Sequence, residues 1–282
     1  MNILESIILG IIQGLTEFLP ISSTGHLTLT GKLMNLISDA YPERWTAFIA
    51  VIQLGTLLAV LIYFRVDIFN IIKEFITQNL IERKKITKQT HNSKMGWFVI
   101  IGSIPVIIIG LFFKDFIEGA FTKNLTVIAF SLIILGLILG ISEKLGKFKK
   151  GLDEITWADA LIIGIAQCFA LIPGSSRSGT TITAALFIGF KRETAARFSF
   201  ILGIPAILGS GLLELYHALK YLNADGIFIL IISTIASAIS GYFAIDFLLK
   251  YLRKRTTFIF VFYRIIIGII ILLLISNNVI TA

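Results

Sequence analysis

The sequence predicts an all-α polytopic membrane protein, with about six transmembrane helices and two re-entrant helical hairpins arranged as an inverted-topology repeat. Three observations predict this fold class. The 282 residues are 56% hydrophobic and only 15% charged, whereas soluble domains are about a quarter charged. The apolar residues fall in long runs, and two of these runs are interrupted by clusters of Pro, Ser, Thr and Gly. The same residues recur in the same order around both interruptions.

The first apolar stretch, residues 3–30, is broken in its middle by Pro20-Ile-Ser-Ser-Thr-Gly. A helical crossing needs about 20 apolar residues, and neither half of this stretch is long enough. A chain that turns back inside the bilayer must bury its irregular turn in protein or against a wet cavity. The stretch 159–190, broken by Pro173-Gly-Ser-Ser-Arg-Ser-Gly-Thr-Thr, has the same character. We therefore expect two re-entrant hairpins.

Six uninterrupted apolar runs are long enough to cross a hydrocarbon core about 30 Å thick. They divide equally between two repeats, 1–142 and 155–282, within a single integral membrane domain. The predicted spans are 46–64, 97–113 and 124–142 in repeat one, and 198–216, 226–249 and 257–275 in repeat two. Apolar residues at helical spacing over 66–81 predict a further helix that lies in the membrane interface.

Lys and Arg are concentrated on one side of this arrangement. With the loop 65–94 in the cytoplasm, the cytoplasmic segments hold 18 Lys and Arg against 7 acids, and the external segments hold 5 of each sign. The positive-inside rule accounts for this bias, so the net charge of +8 does not imply a nucleic-acid partner. Membrane lipids are the expected partners of the basic face. A homodimer is compatible with the sequence, which does not fix the oligomeric state.

The two halves of the chain share an internal repeat. Ile8-Leu-Gly-Ile-Ile-Gln13 matches Ile162-Ile-Gly-Ile-Ala-Gln167, and Pro20-Ile-Ser-Ser matches Pro173-Gly-Ser-Ser after one residue of gap, which puts Arg177 opposite Thr24. The repeated glutamines, Gln13 and Gln167, either make structural hydrogen bonds or bind a ligand. Since each half contains three spans, the second half enters the membrane inverted, and broken helices in such repeats form a site near the midplane.

The first break carries candidate catalytic groups. Ionisable side chains at membrane depth are costly and usually functional, and here they are Glu17 and His26. Gln13 and Glu17 are four residues apart on one helix face, so their oxygens could hold Mg²⁺ or Ca²⁺, or Glu17 could act as a general acid/base. His26 offers a proton carrier or a nucleophile. The hydroxyls of Ser22 and Ser23 lie between these groups.

The second break is typical of a phosphate site. Arg177 provides a permanently charged fork that matches phosphate oxygens. Gly174 and Gly179 let backbone N–H groups approach an anion, and a helix N-terminus follows that favours negative charge. Hydroxyl donors surround these groups: Ser175, Ser176, Ser178, Thr180 and Thr181.

Structural interpretations remain open beside these. The small hydroxyl residues and glycines could serve close helix packing alone. Glu17 and Arg177 could form an ion pair that only locks the hairpins together, and His26 could be a satisfied interior histidine. For the remaining intramembrane arginine, Arg264, we expect either an interfacial position or a pair with Asp246 on the preceding helix.

These two segments resemble the signatures of a known family, the undecaprenyl-diphosphatases, also called bacitracin-resistance phosphatases. Gln13-Gly-Leu-Thr-Glu17 with the following Ser-Ser and His26 is similar to (Glu/Gln)-x-x-x-Glu, Ser-Ser and His, and Pro173 to Thr181 is similar to Pro-Gly-x-Ser-Arg-Ser-x-x-Thr. The resemblance covers essentially the whole chain. It implies hydrolysis of undecaprenyl diphosphate to undecaprenyl phosphate and phosphate, which recycles the cell-wall carrier lipid and confers bacitracin resistance. It also implies a site open to the external face of the bacterial cytoplasmic membrane.

The resemblance implies roles for particular residues and for a divalent cation, Mg²⁺ or Ca²⁺. The residues expected to be catalytic are Glu17, Ser23, His26 and Arg177. The residues expected to bind substrate are Ser176, Ser178 and Thr181 from the resemblance, together with Ser22 and Gly174 from the chemistry of the two breaks. Glu17 and Gln13 are the candidate cation ligands, although Gln13 stands where many family members have a second Glu, which weakens a two-carboxylate metal site.

Two questions stay open at the level of sequence. The nucleophile is Ser23, deprotonated by Glu17 or His26, or it is His26 itself, or it is an activated water. The alternative function is a lipid-phosphate transporter or flippase, because inverted repeats with broken helices are a transporter architecture.

Overall fold

The computed structural model describes residues 1–38, 40–220 and 222–281, and the regular structure of these residues is helical, without a β-strand. The helices, in chain order, are α1 (Ile3–Phe18), α2 (Ser23–Leu33), α3 (Pro42–Tyr63), α4 (Arg65–Ile76), α5 (His91–Phe112), α6 (Lys114–Glu118), α7 (Leu125–Leu145), α8 (Trp157–Cys168), α9 (Arg177–Phe187), α10 (Arg192–Ala218), α11 (Ala224–Leu252) and α12 (Phe258–Ser276). Within the described ranges six of them, α3, α5, α7, α10, α11 and α12, are long and apolar enough to cross a membrane.

Each predicted span falls on one of these six helices, which confirms an all-helical chain with six apolar spans. The largest displacements are at the N-terminal starts of α5 and α10, which begin six residues before the predicted spans. Polar residues such as Arg192 and Glu193 continue a helix without contributing to its hydropathy, so an apolar run marks the membrane-buried part only. The predicted interfacial helix over 66–81 corresponds to α4 and the π-helical turn Thr77–Ile81 that follows it.

The two interrupted stretches form pairs of short helices. α1 has 16 residues, α8 has 12, and α2 and α9 have 11 each. At about 1.5 Å per residue, none of these helices reaches the roughly 30 Å of a hydrocarbon core. The helices therefore break where the sequence predicts. The entry of the two pairs from opposite leaflets, and with it the inverted repeat, stays a prediction.

The turns in the two pairs have matching backbone geometry. Ser22 and Ser176 are the N-caps of α2 and α9, with φ of +75° and +70°, and their hydroxyls accept hydrogen bonds from Gly25 N (3.2 Å) and Gly179 N (3.1 Å). A serine with positive φ is strained, and such residues cluster at functional sites. The two caps are 154 residues apart, as are Gln13 and Gln167.

This register corrects the gapped alignment. With no gap, Arg177 is the counterpart of Ser23 rather than of Thr24, and both are the first residue of a short helix. The gapped alignment matched Pro20 with Pro173, but Pro20 lies two residues before its capping serine, whereas Pro173 lies three residues before its own. The capping serines define the correspondence because they carry the backbone conformation.

The first helix of each pair packs on a long helix of the other half of the chain. α1 lies along α11, and α8 lies along α5. The helices can approach closely because Gly10 and Gly164 have no Cβ. A Cβ at Gly10 would lie 2.3 Å from Ser233 O, and one at Gly164 would lie 2.2 Å from Gly102 O, both too close for a real contact. The packing of α3 on α10 and of α7 on α12 joins the halves further. The two turns thus meet in the middle of the molecule.

Candidate active site

Glu17 connects the two turns. Its Oε2 accepts hydrogen bonds from Gln13 Nε2 (2.9 Å) and Ser23 Oγ (2.7 Å), and its Oε1 accepts one from Arg177 Nη2 (3.1 Å). The residue is only 5% exposed. The structure therefore brings together the carboxylate of the first break and the guanidinium of the second, which are 160 residues apart. Glu17 and Arg177 form an ion pair, and the Ser23 hydroxyl is hydrogen-bonded to the same carboxylate.

Ser23 occupies a position that suits a nucleophile. Its hydroxyl donates to a buried carboxylate, the arrangement in which a base can take the proton as the oxygen attacks. It is also the first residue of α2, where the partial positive charge of a helix N-terminus favours a developing alkoxide. The geometry thus pairs Ser23 with Glu17.

The hydroxyls of the second break hold the two turns against each other. Ser178 Oγ lies 3.2 Å from Glu17 O, 3.1 Å from Leu19 O and 3.2 Å from Ser176 Oγ. Thr181 Oγ1 lies 2.8 Å from Arg177 O. These contacts fix backbone positions. Ser178 and Thr181 do not belong to the lining of the cavity described below, so their role in substrate binding stays a prediction.

Arg177 is held from a second side. Nη1 donates to Ser199 O at 3.2 Å, and the Ser199 hydroxyl in turn lies 2.6 Å from Thr181 Oγ1. The sequence gave no indication that Ser199, which lies in the middle of α10, belongs to this network. With Nη1 and Nη2 committed to protein oxygens, Arg177 Nε is buried without a partner among the described residues.

His26 lies outside this network. Its Nδ1 is 2.7 Å from Ser22 O, and its Nε2 is 2.8 Å from Tyr263 OH. The imidazole and the tyrosine ring are stacked, with centroids 5.5 Å apart. Both ring nitrogens are therefore occupied by groups other than Glu17 and Ser23.

Ser22 and Gly174 shape the turns. The Ser22 hydroxyl caps α2, so it is occupied by backbone. Gly174 has φ +85°, and a Cβ there would lie 2.6 Å from Ile128 O. Both residues belong to the breaks as predicted, and the contacts that the structure shows for them are structural.

A cavity of about 480 Å³ opens beside the Glu17–Arg177 pair, within the size range of small-molecule sites. Its polar floor is formed by Glu17, Ser23, Gln167, Ser175, Ser176 and Arg177. The rest of the lining comes largely from α3, α5 and α10. Its apolar residues, here called the apolar walls, include Ile49, Val106, Ile107, Leu111, Ile207 and Leu213, and the same helices add the polar residues Thr46, Gln53, Ser210 and Glu214. Lys114 and Lys123, from the segment between α5 and α7, also line it. A polar floor under apolar walls suits an amphipathic lipid phosphate.

Several polar groups of the cavity have no protein partner. Gln167 and Ser175 are fully buried, and neither their side-chain atoms nor Trp45 Nε1 form a hydrogen bond within the described residues. Unmade hydrogen bonds of buried groups are costly, so these groups indicate a polar ligand. The sequence marked Gln167 only by its recurrence. Its place in the cavity depends on how α8 packs.

The donor set for a cation is partial. No cluster of three or more His, Cys, Asp or Glu side chains suited to a metal ion occurs in the described part of the chain. Gln13 Oε1 is buried without a partner beside Glu17. Two such oxygens match the share of a Mg²⁺ shell that proteins commonly supply when phosphate oxygens and waters complete it. Gln13 is not among the residues that line the cavity, and its Nε2 rather than its Oε1 faces Glu17. The described residues do not form an all-protein cage, and a cation shared with a phosphate ligand stays a prediction.

Arg264 departs from both sequence expectations. It is fully buried in α12, and it donates to backbone carbonyls rather than reaching the interface. Asp246 instead accepts from Lys250 (2.7 Å) and from Tyr63 OH (3.2 Å). The expectation failed because Lys250 is one helical turn from Asp246, whereas the guanidinium is enclosed by the two turns.

The fold and site together define a multi-pass membrane protein with a buried acid–serine–arginine centre beside a cavity of about 480 Å³. The family described as "Bacitracin resistance protein BacA" matches residues 6–270, so the chain belongs to the BacA family. This confirms the family resemblance seen in the two motifs.

Named relatives are similar along nearly their whole length. The undecaprenyl-diphosphatase of Syntrophobacter fumaroxidans is 55% identical over 268 residues, which cover 95% of each chain. That of Chloroherpeton thalassium is 46% identical over 98% of each chain. That of Renibacterium salmoninarum is 44% identical over 100% of this chain and 99% of its own.

Proposed function

We propose that this protein is an undecaprenyl-diphosphate phosphatase of the bacterial cytoplasmic membrane, which releases phosphate and returns undecaprenyl phosphate to cell-wall synthesis. The observation that carries the proposal is the hydrogen bond from Ser23 to Glu17, which itself pairs with Arg177. The named relatives support the substrate. The apolar walls suit the prenyl chain, and the polar floor suits the diphosphate.

The chemistry follows from this geometry. Glu17 accepts the Ser23 proton as Oγ attacks the terminal phosphorus, the Oγ–P bond forms, and the bond to the bridging oxygen breaks. Undecaprenyl phosphate leaves with the proton that Glu17 accepted. A water then attacks the phosphorus and gives a proton to Glu17, the Oγ–P bond breaks, Ser23 Oγ recovers the proton from Glu17, and phosphate is released. In phosphoryl transfer, positioning and charge stabilisation supply most of the catalysis. Arg177 Nε and the Gln167 amide, which have no partner in the described part of the chain, are donors available to the phosphate oxygens.

A divalent cation, Mg²⁺ or Ca²⁺, is part of this proposal. Glu17 and Gln13 Oε1 would hold it together with diphosphate oxygens. When bound, such an ion neutralises phosphate charge. Chelation should therefore abolish turnover in the wild type, and added Mg²⁺ or Ca²⁺ should restore it.

The direction of opening is also proposed. Lys114 and Lys123 line the cavity, and they belong to a segment that the positive-inside rule assigns to the outside. This supports access from the external face, where the carrier lipid would be dephosphorylated. It also supports an inverted repeat whose two breaks meet below that opening.

Phosphate release from undecaprenyl diphosphate by purified protein in detergent tests the proposal. Detergent abolishes transport and leaves hydrolysis measurable, so a lipid flippase would show no release. Glu17→Gln should lower kcat by about 10²-fold or more, the range of a lost general base. If the Glu17–Arg177 pair were only a lock between the hairpins, Glu17→Gln would lower stability while the folded fraction kept its kcat.

The nucleophile can be identified directly. Rapid quench in neutral denaturing detergent, which preserves both phosphoserine and the acid-labile phosphohistidine, should trap labelled terminal phosphate on Ser23, because this oxygen is in contact with the base. Label on His26 would reassign the nucleophile to the imidazole, and no protein-bound label would favour water.

A further inference from the structure

Arg264 is fully buried, and among the described residues its guanidinium donates hydrogen bonds to backbone carbonyls only. Nε lies 3.2 Å from Leu132 O, and Nη2 lies 3.3 Å from Ser131 O, both on α7. The other acceptors belong to the two turns: Pro20 O (3.4 Å from Nη1), and Gly174 O (3.3 Å) and Ser175 O (3.0 Å), both from Nη2. One side chain therefore binds the backbone of both turns.

The charge of Arg264 has no carboxylate partner in the described ranges. The ion pairs formed there by arginines involve Arg177, Arg192, Arg197 and Arg253. A charge inside a membrane protein is costly and usually serves function. Here the dipoles of the backbone carbonyls replace a counter-ion. In return for the cost of burying its charge, Arg264 makes five hydrogen bonds to backbone carbonyls, more than a neutral side chain could donate.

The contacts also orient the second turn. In a trans peptide, the C=O of one residue and the N–H of the next point in opposite directions. With Ser175 C=O turned to Arg264, the N–H of Ser176 points away from it. Ser175, Ser176 and Arg177 line the cavity, whereas Arg264 does not.

The surrounding chain leaves space for this guanidinium. A Cβ at Gly179 would lie 2.7 Å from Arg264 Nη1, and one at Gly136 would lie 3.2 Å from Arg264 Cβ. Side chains at either position would crowd the arginine. The pocket around Arg264 is thus built from α7, α9 and both turns at once.

We propose that Arg264 is a positioning residue for phosphoryl transfer, one that fixes the separation of the two turns and thereby holds Ser23 and Glu17 against Arg177. The inference rests on the proposed phosphatase function. Arg264 acts through the backbone and makes no contact with the substrate.

Arg264→Lys is the decisive variant because it keeps the charge. A lysine ammonium has three donors at a single point, so it cannot bind α7 and both turns together. We expect kcat to fall by about tenfold or more with KM within about threefold. Hydrogen exchange should rise in peptides covering residues 19–22 and 172–176, with any further rise confined to the part of α7 around Ser131 and Leu132. Arg264→Met should lose about 10²-fold or more in kcat, as expected for a displacement near 1 Å.

The matched control is Arg192→Met. Arg192 pairs with the buried Glu143 away from the cavity, so its loss should lower the melting temperature and leave kcat and turn exchange unchanged. A folded Arg264→Lys protein with wild-type kcat and wild-type exchange in both turns would overturn the proposal, as would exchange that rises evenly along the chain. Exchange needs no turnover, so this readout stays separate from failure of the wild type to release phosphate, which would reject the proposed function instead.

Discussion

Gly203 offers a test of the site from outside its motifs. It lies on α10, where an added Cβ would be 1.9 Å from Nη1 and 2.5 Å from Cζ of Arg177. Ordinary contacts begin near 3.4 Å, so the guanidinium would have to recede by about 1.5 Å. The hydrogen bond of Arg177 Nη2 to Glu17 Oε1, now 3.1 Å long, would break in most directions of movement.

The expected cost can be estimated from this displacement. A misplacement of about 1 Å in a catalytic constellation costs on the order of 10²-fold in rate. That factor corresponds to about 2.7 kcal/mol of transition-state stabilisation. Gly203→Ala should therefore lower kcat/KM by about 10²-fold, although alanine is a better helix former than glycine and the mutated residue itself touches no substrate.

Phosphate release from undecaprenyl diphosphate in detergent measures this effect, with the melting temperature recorded alongside. Gly211→Ala is the matched control, because it lies on the same helix and its Cβ would crowd Leu54 Cδ2 at 2.5 Å instead of the arginine. It should lose stability and keep its turnover. A Gly203→Ala enzyme with turnover within about threefold of the wild type would refute the reasoning that the Arg177 position limits catalysis.

Three further predictions concern groups outside the Glu17–Arg177 pair. Gln167→Leu removes a fully buried amide without partners in the described chain. The protein should therefore gain about 1–3 kcal/mol in unfolding free energy and lose about tenfold in kcat/KM. A fall in both the unfolding free energy and kcat/KM would contradict a ligand role for Gln167. His26→Gln should cost less than about tenfold in kcat, whereas Ser23→Ala should cost at least about 10³-fold, measured by phosphate release; equal losses would place His26 in the reaction. Hydrogen bonds from Thr90 and from Asn92 lower the pKa of Glu74 in the folded protein. A lowered carboxyl pKa stabilises the fold at pH values above the pKa of the unfolded chain, and this stabilisation is lost as the pH falls through the folded-state pKa. The melting temperature of the wild type should therefore drop between about pH 6 and pH 3, and that of Glu74→Gln should drop less.

The membrane spans could be predicted from sequence because hydropathy depends on each residue's own chemistry. The same is true of the breaks, since Pro and Gly act on the local backbone. The contact between Glu17 and Arg177 was foreseen as one alternative, because two opposite charges at membrane depth have few other ways to be stabilised. What failed was the environment of Arg264. Its partners are carbonyl oxygens, which every residue possesses, so no side-chain pattern marks them.

Ser199 and Gly203 were missed for a related reason. Both lie inside the apolar run of α10, where a serine and a glycine are ordinary packing residues. Their role depends on which face of α10 meets α9. That orientation is a property of tertiary packing. In the structure it is shown by the hydrogen bond that Arg177 Nη1 donates to Ser199 O.

The two turns have the same backbone frame and opposite chemistry, and this difference bears on function. In each frame a strained serine caps a helix of 11 residues, and the next residue projects from the first turn of that helix. That residue is Ser23 in one frame and Arg177 in the other, and both contact Glu17. A carrier that alternates between two faces would benefit from equivalent groups in both frames. A phosphatase requires two different groups: an oxygen that attacks phosphorus, and a positively charged group, here a guanidinium, that stabilises the phosphate. These two groups must reach the same centre from different sides. The division between Ser23 and Arg177 therefore favours hydrolysis over transport.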